Sequence, residues 1–299
     1  MFQRAIRALT LAGAVGATGL FAASCTDDQP EEMGSQPVET CGAGKTHSFL
    51  ISTLGFTRVS EEDGTAPGFD VDGVVSDGTD DASCFKKDFV SPEGVVGVDN
   101  QLAALIPDVE AILGDAVDGL VQGAINNGAL LILFTISGVD DLQNDDCVDL
   151  TVTTVTGKPT LGTDGIIEAY QTYDFKPEAE VSHATHGKIE KGVLMAGPFE
   201  LAIPIAIFDV SFTIHVHDAL FRVPVDAPDG VLKRGYVGGG VVPQEILDGV
   251  KEGAGVNKYI PVLTVVLNGS ADLVPDEEGT CQQVSAALAI SAVEAFVRE

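Results

Sequence analysis

Between residues 129 and 242, apolar and polar positions change places in short runs with a period of two, which is the pattern of strands with one buried face. Leu130–Ile136 is an apolar, β-rich run, and Val148–Thr156 alternates Val with Thr. Further strands are expected at 166–175, 179–195, 199–208, 210–217, 219–225 and 231–242, separated by Gly, Pro and Asp turns. Ser285–Val297 alternates well enough to be a closing strand, and shorter strands are expected at 47–53 and 84–90 within a loop-rich, Gly/Asp-rich section, 45–99. One stretch has a different period. Leu102, Leu105, Val109, Ile112, Leu113, Val117, Leu120, Val121, Ala124 and Ile125 recur at steps of three and four, with Asp108, Glu110, Asp115 and Asp118 off that face. Pro107 fits the first residue of the main helix, and Asn126-Asn127-Gly128 supplies its stop. Shorter helices are expected at 243–253 and 257–268. The expected fold is mainly β with helical insertions: an antiparallel β-sandwich or open barrel, packed by one long amphipathic helix at about 100–128 and by shorter C-terminal helices.

The N-terminus carries an address. Arg4 and Arg7 precede the uncharged stretch Ala8–Ser24, too short and too rich in Gly for a spanning helix, so residues 1–24 read as an export signal. It ends in Phe21-Ala22-Ala23-Ser24-Cys25. Small residues followed by cysteine resemble the lipobox of bacterial lipoproteins, and the resemblance implies that Cys25 takes lipid and becomes the new N-terminus. No later segment is apolar enough to anchor the chain, so the acyl chains would be its attachment. Residues 25–44 hold little to bury and read as an acidic, flexible tether, followed by a single exported domain at 45–299. Gly42-Ala43-Gly44-Lys45-Thr46 looks like the tail of a phosphate-binding loop, but Glu39 stands where that motif begins with Gly. Five cysteines are an odd number for an exported chain. Assigning Cys25 to lipid leaves Cys41, Cys84, Cys147 and Cys281 for two disulfides, with three pairings open.

Charge narrows the partners. With 16 Lys+Arg against 45 Asp+Glu the formal net charge is -29, which repels nucleic acid and anionic headgroups alike. At 45% hydrophobic and 20% charged the acidity still belongs to a folded chain. The acids cluster: Asp70, Asp72, Asp77, Asp80 and Asp81, then Asp99-Asn100, then Asp140, Asp141, Asn144, Asp145 and Asp146. Asp alternating with Gly in loops is how Ca²⁺ gathers oxygen ligands, so Asp70, Asp72, Asp99, Asn100, Asp140 and Asp141 are the candidate ligands of a structural calcium ion. The spacing is not that of an EF-hand, and solvated turns that keep an acidic chain soluble are the competing explanation. His215 and His217 share one strand face, opposite Phe212, Ile214 and Val216. His183 and His186 are expected on opposite faces, so no zinc set converges.

Signatures of nucleophilic catalysis are missing, so no catalytic residue is assigned: there is no Gly-x-Ser-x-Gly and no His-Glu-x-x-His. Gly238-Gly239-Gly240 reads as a tight strand-to-helix connection before Pro243. Gly68-Phe69-Asp70-Val71-Asp72-Gly73, Gly97-Val98-Asp99-Asn100-Gln101, Asp140-Asp141 through Asn144-Asp145-Asp146, and the Cys281–Ser285 start of the last strand resemble uncharacterised predicted cell-envelope lipoproteins of myxobacteria and their relatives. That resemblance implies a lipid-anchored envelope protein, at the outer membrane, and no chemistry. The expectation is a non-catalytic binding or structural role with no identified partner beyond the membrane. The alternatives are an exported hydrolase with a site assembled from acidic loops, and a carrier with an apolar groove between the 100–128 helix and the sheet.

Overall fold

In chain order the elements are β1 (Lys45–Phe56), β2 (Phe89–Val90), β3 (Val96–Val98), α1 (Gln101–Leu113), α2 (Val117–Asn126), β4 (Ile132–Val139), β5 (Asn144–Thr156), β6 (Gln171–Phe175), β7 (Ser182–Glu190) and β8 (Val193–Ile207). They continue with β9 (Val210–Pro224), β10 (Val231–Val241), α3 (Pro243–Lys251), α4 (Ile260–Gly269), β11 (Leu273–Pro275) and β12 (Cys281–Arg298). This computed structural model describes residues 40–113, 117–207, 210–251 and 259–298; the expected signal, Cys25 and most of the expected tether lie outside them.

Eight strands form a closed antiparallel cycle. β1 pairs with β4, β4 with β5, β5 with β7 and β7 with β8. β8 then pairs with β9, β9 with β10, β10 with β12, and β12 returns to β1. Closure replaces the expected sandwich or open barrel. Over residues 288–293 β12 uses both of its edges, pairing with β10 on one side and β1 on the other, so neither end of the sheet is left as an open edge. β6 joins at one rim, parallel to β12 and antiparallel to β5.

Side chains sort by the two-residue period. Along β7, Ser182, Ala184 and Ile189 are buried while His183, Lys188 and Glu190 face solvent. The interior is filled, as expected for eight strands. Phe134 stacks on Phe49 at 5.3 Å between centroids and meets Phe221 edge-on at 5.0 Å. Helix α2 closes one end. It packs against both β1 and β8, which lie on opposite sides of the cycle, and drives Val121, Ala124 and Ile125 into the barrel core.

The helical section departs from expectation in two ways. The single long helix is two helices, with 114–116 outside the described residues. Pro107 sits inside α1 on its exposed side and not at its start. The start belongs to Asn100, whose Oδ1 accepts the Ala103 amide at 3.2 Å, while Ser285 Oγ accepts the Gln101 amide at 2.8 Å. Two strands expected at 210–217 and 219–225 are the single β9, bent at Asp218, where φ is +49°. The strand expected at 84–90 is reduced to β2. Gly238, Gly239 and Gly240 lie inside β10, and a Cβ on Gly239 would stand 2.5 Å from the His217 carbonyl oxygen. They are there for close strand approach, not for a turn.

The four expected cysteines form two disulfides, Cys41–Cys147 and Cys84–Cys281. The first pins the chain ahead of β1 to β5, so the folded body reaches back into the stretch expected as tether. The second ties the loop between β1 and α1 to the start of β12. With its cysteines 197 positions apart, the chain-entropy account gives it on the order of 5 kcal/mol. Removing it in a Cys84→Ala/Cys281→Ala protein should lower the melting midpoint by about 10 °C at this domain size. Differential scanning calorimetry reads that shift, and non-reducing peptide mapping checks the pairing.

Candidate functional site

Two sites stand out, one acidic and one apolar. The acidic one grows from the loop ahead of α1. An isolated bridge pairs Phe69 with Asp99, the Asp99 amide donating to the Phe69 carbonyl at 2.8 Å, which brings 69–73 against the helix start. Asp99 is buried, and its Oδ2 accepts the amides of Val71 at 2.7 Å and Asp72 at 3.3 Å. Asp70 accepts from Gly73 and Asp72 from Val74, both at 2.8 Å, so each carboxylate is oriented by its own turn. One carboxylate oxygen from each of Asp70, Asp72 and Asp99 lies within 4.8 Å of the others, an arrangement that could hold a metal ion. Burial pushes the Asp99 carboxyl up to about 8, against the Val71 hydrogen bond and with the nearby charges of Asp72 and Asp88 adding to the rise.

The other three expected ligands lie outside this triad. Asn100 is fully committed inward: its amide nitrogen donates to Thr57 Oγ1 at 2.7 Å and the Pro67 carbonyl at 2.6 Å, and its oxygen takes the Ala103 and Ala287 amides. Asp140 and Asp141 belong to the β4–β5 turn, where their amides donate to Asp145 Oδ2, beside the Cys41–Cys147 bridge. Sequence proximity to an acidic run did not place them together, because the β4–β5 hairpin organises its own turn.

Behind Asn100 is a buried pair that the sequence reading did not anticipate. Asp272 accepts the Ser285 amide at 2.7 Å and the Ser285 hydroxyl at 2.5 Å, and that hydroxyl in turn accepts the Gln101 amide. Burial pushes Asp272 up to about 6. Ser285 is fully buried and its hydroxyl is bonded to both Asp272 and the Gln101 amide, so the arrangement holds α1 against β12.

The histidines are outward. His215 lies between Glu245 (Nδ1 to Oε2, 3.3 Å) and Glu180 (Nε2 to Oε1, 3.6 Å), and His217 Nδ1 is 2.8 Å from Glu200. His183 and His186 were expected on opposite faces, yet both are exposed. A register shift between Val148 and Leu150 on β5, with φ of +59° at His186, breaks the alternation between them.

The apolar site lies where the helices meet the barrel. From Ala202 to Ile207, β8 pairs with β9 residues Val210 to His215 as a ribbon, which sets Ile203 against Ile214 and Ile205 against Phe212. Helix α3 lies on this ribbon. Glu245 accepts the His215 amide at 3.0 Å, and a Cβ on Gly249 would strike the Phe212 ring at 2.2 Å, so only glycine permits the approach. Leu105, Leu247, Val250, Leu263 and Leu267 give α1, α3 and α4 a small core of their own. Between that core and the barrel core remains a cavity of about 210 Å³. Its lining is drawn from nine elements and includes Leu54, Ile106, Val121, Phe212, Ile246, Leu263 and Ala286. Every described lining residue is Gly, Ala, Val, Leu, Ile or Phe. Sequence patterning marked Phe212, Ile214 and Val216 as an inward face and placed a groove by the 100–128 helix. The contribution of α3 and α4 was not legible.

The fold and sites define a closed antiparallel barrel capped by helices, with an apolar cavity at their junction and an acidic triad on a disulfide-tied loop. Comparison with known proteins gave no matching family model, no matching curated protein and no matching solved structure. No described helix is long and apolar enough to cross a membrane, and two disulfides suit an oxidising compartment.

Asp272 gives a pH prediction. Its raised folded value means the unfolded carboxyl gives up its proton first, so stability from this group is full below about pH 4 and lost as pH rises to about 6. Asp272→Asn should flatten urea midpoints across that window, measured in chelator, by about 3 kcal/mol at pH 7 relative to the parent slope.

Proposed function

We propose that this chain is an exported, non-catalytic binding protein, held at the cell envelope by lipid on Cys25, with the apolar cavity as its binding site. The cavity carries the reading: a space of about 210 Å³ whose described lining holds no polar residue takes apolar ligands readily. The lipid anchor rests on Phe21-Ala22-Ala23-Ser24-Cys25, and the pairing of the other four cysteines, which leaves Cys25 as the odd one, supports it. The exported-hydrolase alternative has less behind it, since the acidic triad contributes nothing to the cavity lining. Outer-membrane attachment is part of the proposal. Cys25→Ser protein should move from the membrane to the soluble fraction, and the intact mass of the parent should show a lipid-modified N-terminal cysteine. A Cys25→Ser protein that stays fully membrane-bound without detergent would reject the anchor.

Calcium at Asp70, Asp72 and Asp99 is the second part. Three carboxylates suit a hard divalent cation that completes its shell with water, and the ion's role would be to fix the loop against the start of α1. Because Asp99 holds its proton up to about pH 8, binding at neutral pH releases a proton and tightens as pH rises. Saturation about ten-fold over Kd adds about 1.4 kcal/mol, a rise of roughly 3–5 °C in melting over a chelator control at equal ionic strength. Asp99→Asn should abolish the calcium-dependent rise. Equal midpoints with calcium and with chelator in the parent would leave these aspartates as solvated turns.

A further inference from the structure

The cavity has a size and a charge setting as well as a polarity. It holds about 210 Å³ where nine elements meet, from Leu54 on β1 to Leu267 on α4. Scaled from the benzene-sized void of about 150 Å³, it takes about eight carbon atoms.

The surroundings decide the head group. Among the described residues, the cations next to lining residues in the chain are already held: Arg58, two residues after Phe56, pairs with Glu110 and with Asp118 at 2.9 Å, and Lys251, following Val250, pairs with Asp248 at 2.5 Å. Neither is free to receive an anion, and the chain's net charge of -29 repels one. The described lining offers no hydrogen-bonding side chain to a buried polar group, which would then go unpaired.

Resting on the reading of the cavity as a binding site, we infer that its ligand is an alkyl group of about eight buried carbons with an uncharged head group left outside. Each methylene added within the cavity tightens binding about four-fold, and further carbons add nothing once it is full.

Calorimetric titration of Cys25→Ser protein, which needs no competing detergent, with toluene and with 1-alkanols of about four to about twelve carbons tests this. The expected result is binding of both probe types, a rise of about four-fold per carbon levelling near eight, and octanoate at least about ten-fold weaker than 1-octanol. Ile246→Trp and Val109→Trp each fill the cavity and should weaken 1-octanol about ten-fold, with Val262→Trp on the exposed side of α4 as the control. If one filled variant fails to fold, the other and the alkanol series on the unaltered cavity still decide. Toluene binding without a chain-length plateau, or octanoate matching octanol, overturns this inference and leaves the binding site standing. Absence of any binding by toluene and alkanols overturns the cavity reading itself.

Discussion

Closure between β1 and β12 is the constraint on which the rest of the molecule depends. These are the first long strand and the last, and their pairing runs from Phe49↔Glu294 to Phe56↔Leu288. Until it forms, the sheet has two open edges and a half-exposed apolar face. Once it forms, Phe49, Phe134 and Phe221 share one interior, and the end of the barrel becomes a fixed rim on which helices can sit. Cys84–Cys281 ties the loop after β1 to the start of β12 and so supports this seam, while Cys41–Cys147 holds the chain ahead of β1 to β5. Pairing across nearly the whole chain is entropically late to form, which makes covalent support for it physically reasonable.

The rim is also where packing and polarity divide. On one side of α1, a buried polar network of Asn100, Thr57, Ser285 and Asp272 joins the helix start to β12, with nearly every donor and acceptor used. On the other side, the same helix presents Leu102 and Ile106 to the cavity. A satisfied hydrogen-bond network fixes geometry tightly, whereas hydrocarbon contacts tolerate a gap. Helix α1 is therefore fixed at its N-terminus, and the unfilled volume falls where it meets only apolar side chains, those of α3, α4 and the β8–β9 ribbon among them. Glu245 on the ribbon amide and the bare Gly249 over Phe212 keep α3 in place without closing that gap.

The acidic triad is built by the same loop that the Cys84–Cys281 bridge restrains. Its chemistry comes from unequal burial: Asp99 is enclosed, whereas Asp70 and Asp72 are exposed. A buried carboxyl keeps its proton, so the loop can be closed without a cation and still offer three carboxylates to one.

Sequence alone determined the elements whose signal is local. The period of two marked nearly every barrel strand, the period of 3.6 marked the helical section, and the odd cysteine count singled out four cysteines for pairing. Where the local signal was interrupted, the reading erred. Asp218 at positive φ divided one strand into two, the register shift by His186 reversed a face, and Pro107 looked like a helix start because Asn100 gives no apolar periodicity. What only the tertiary structure decided were relations between distant residues: closure in place of a sandwich, which cysteines pair, and which aspartates meet. Asp70, Asp72 and Asp99 converge through one bridge between Phe69 and Asp99, while Asp140 and Asp141 are kept by their own hairpin. The cavity is the clearest case. It is a volume that no side chain fills, and a sequence records the residues that surround such a space but not the backbone geometry that leaves it open.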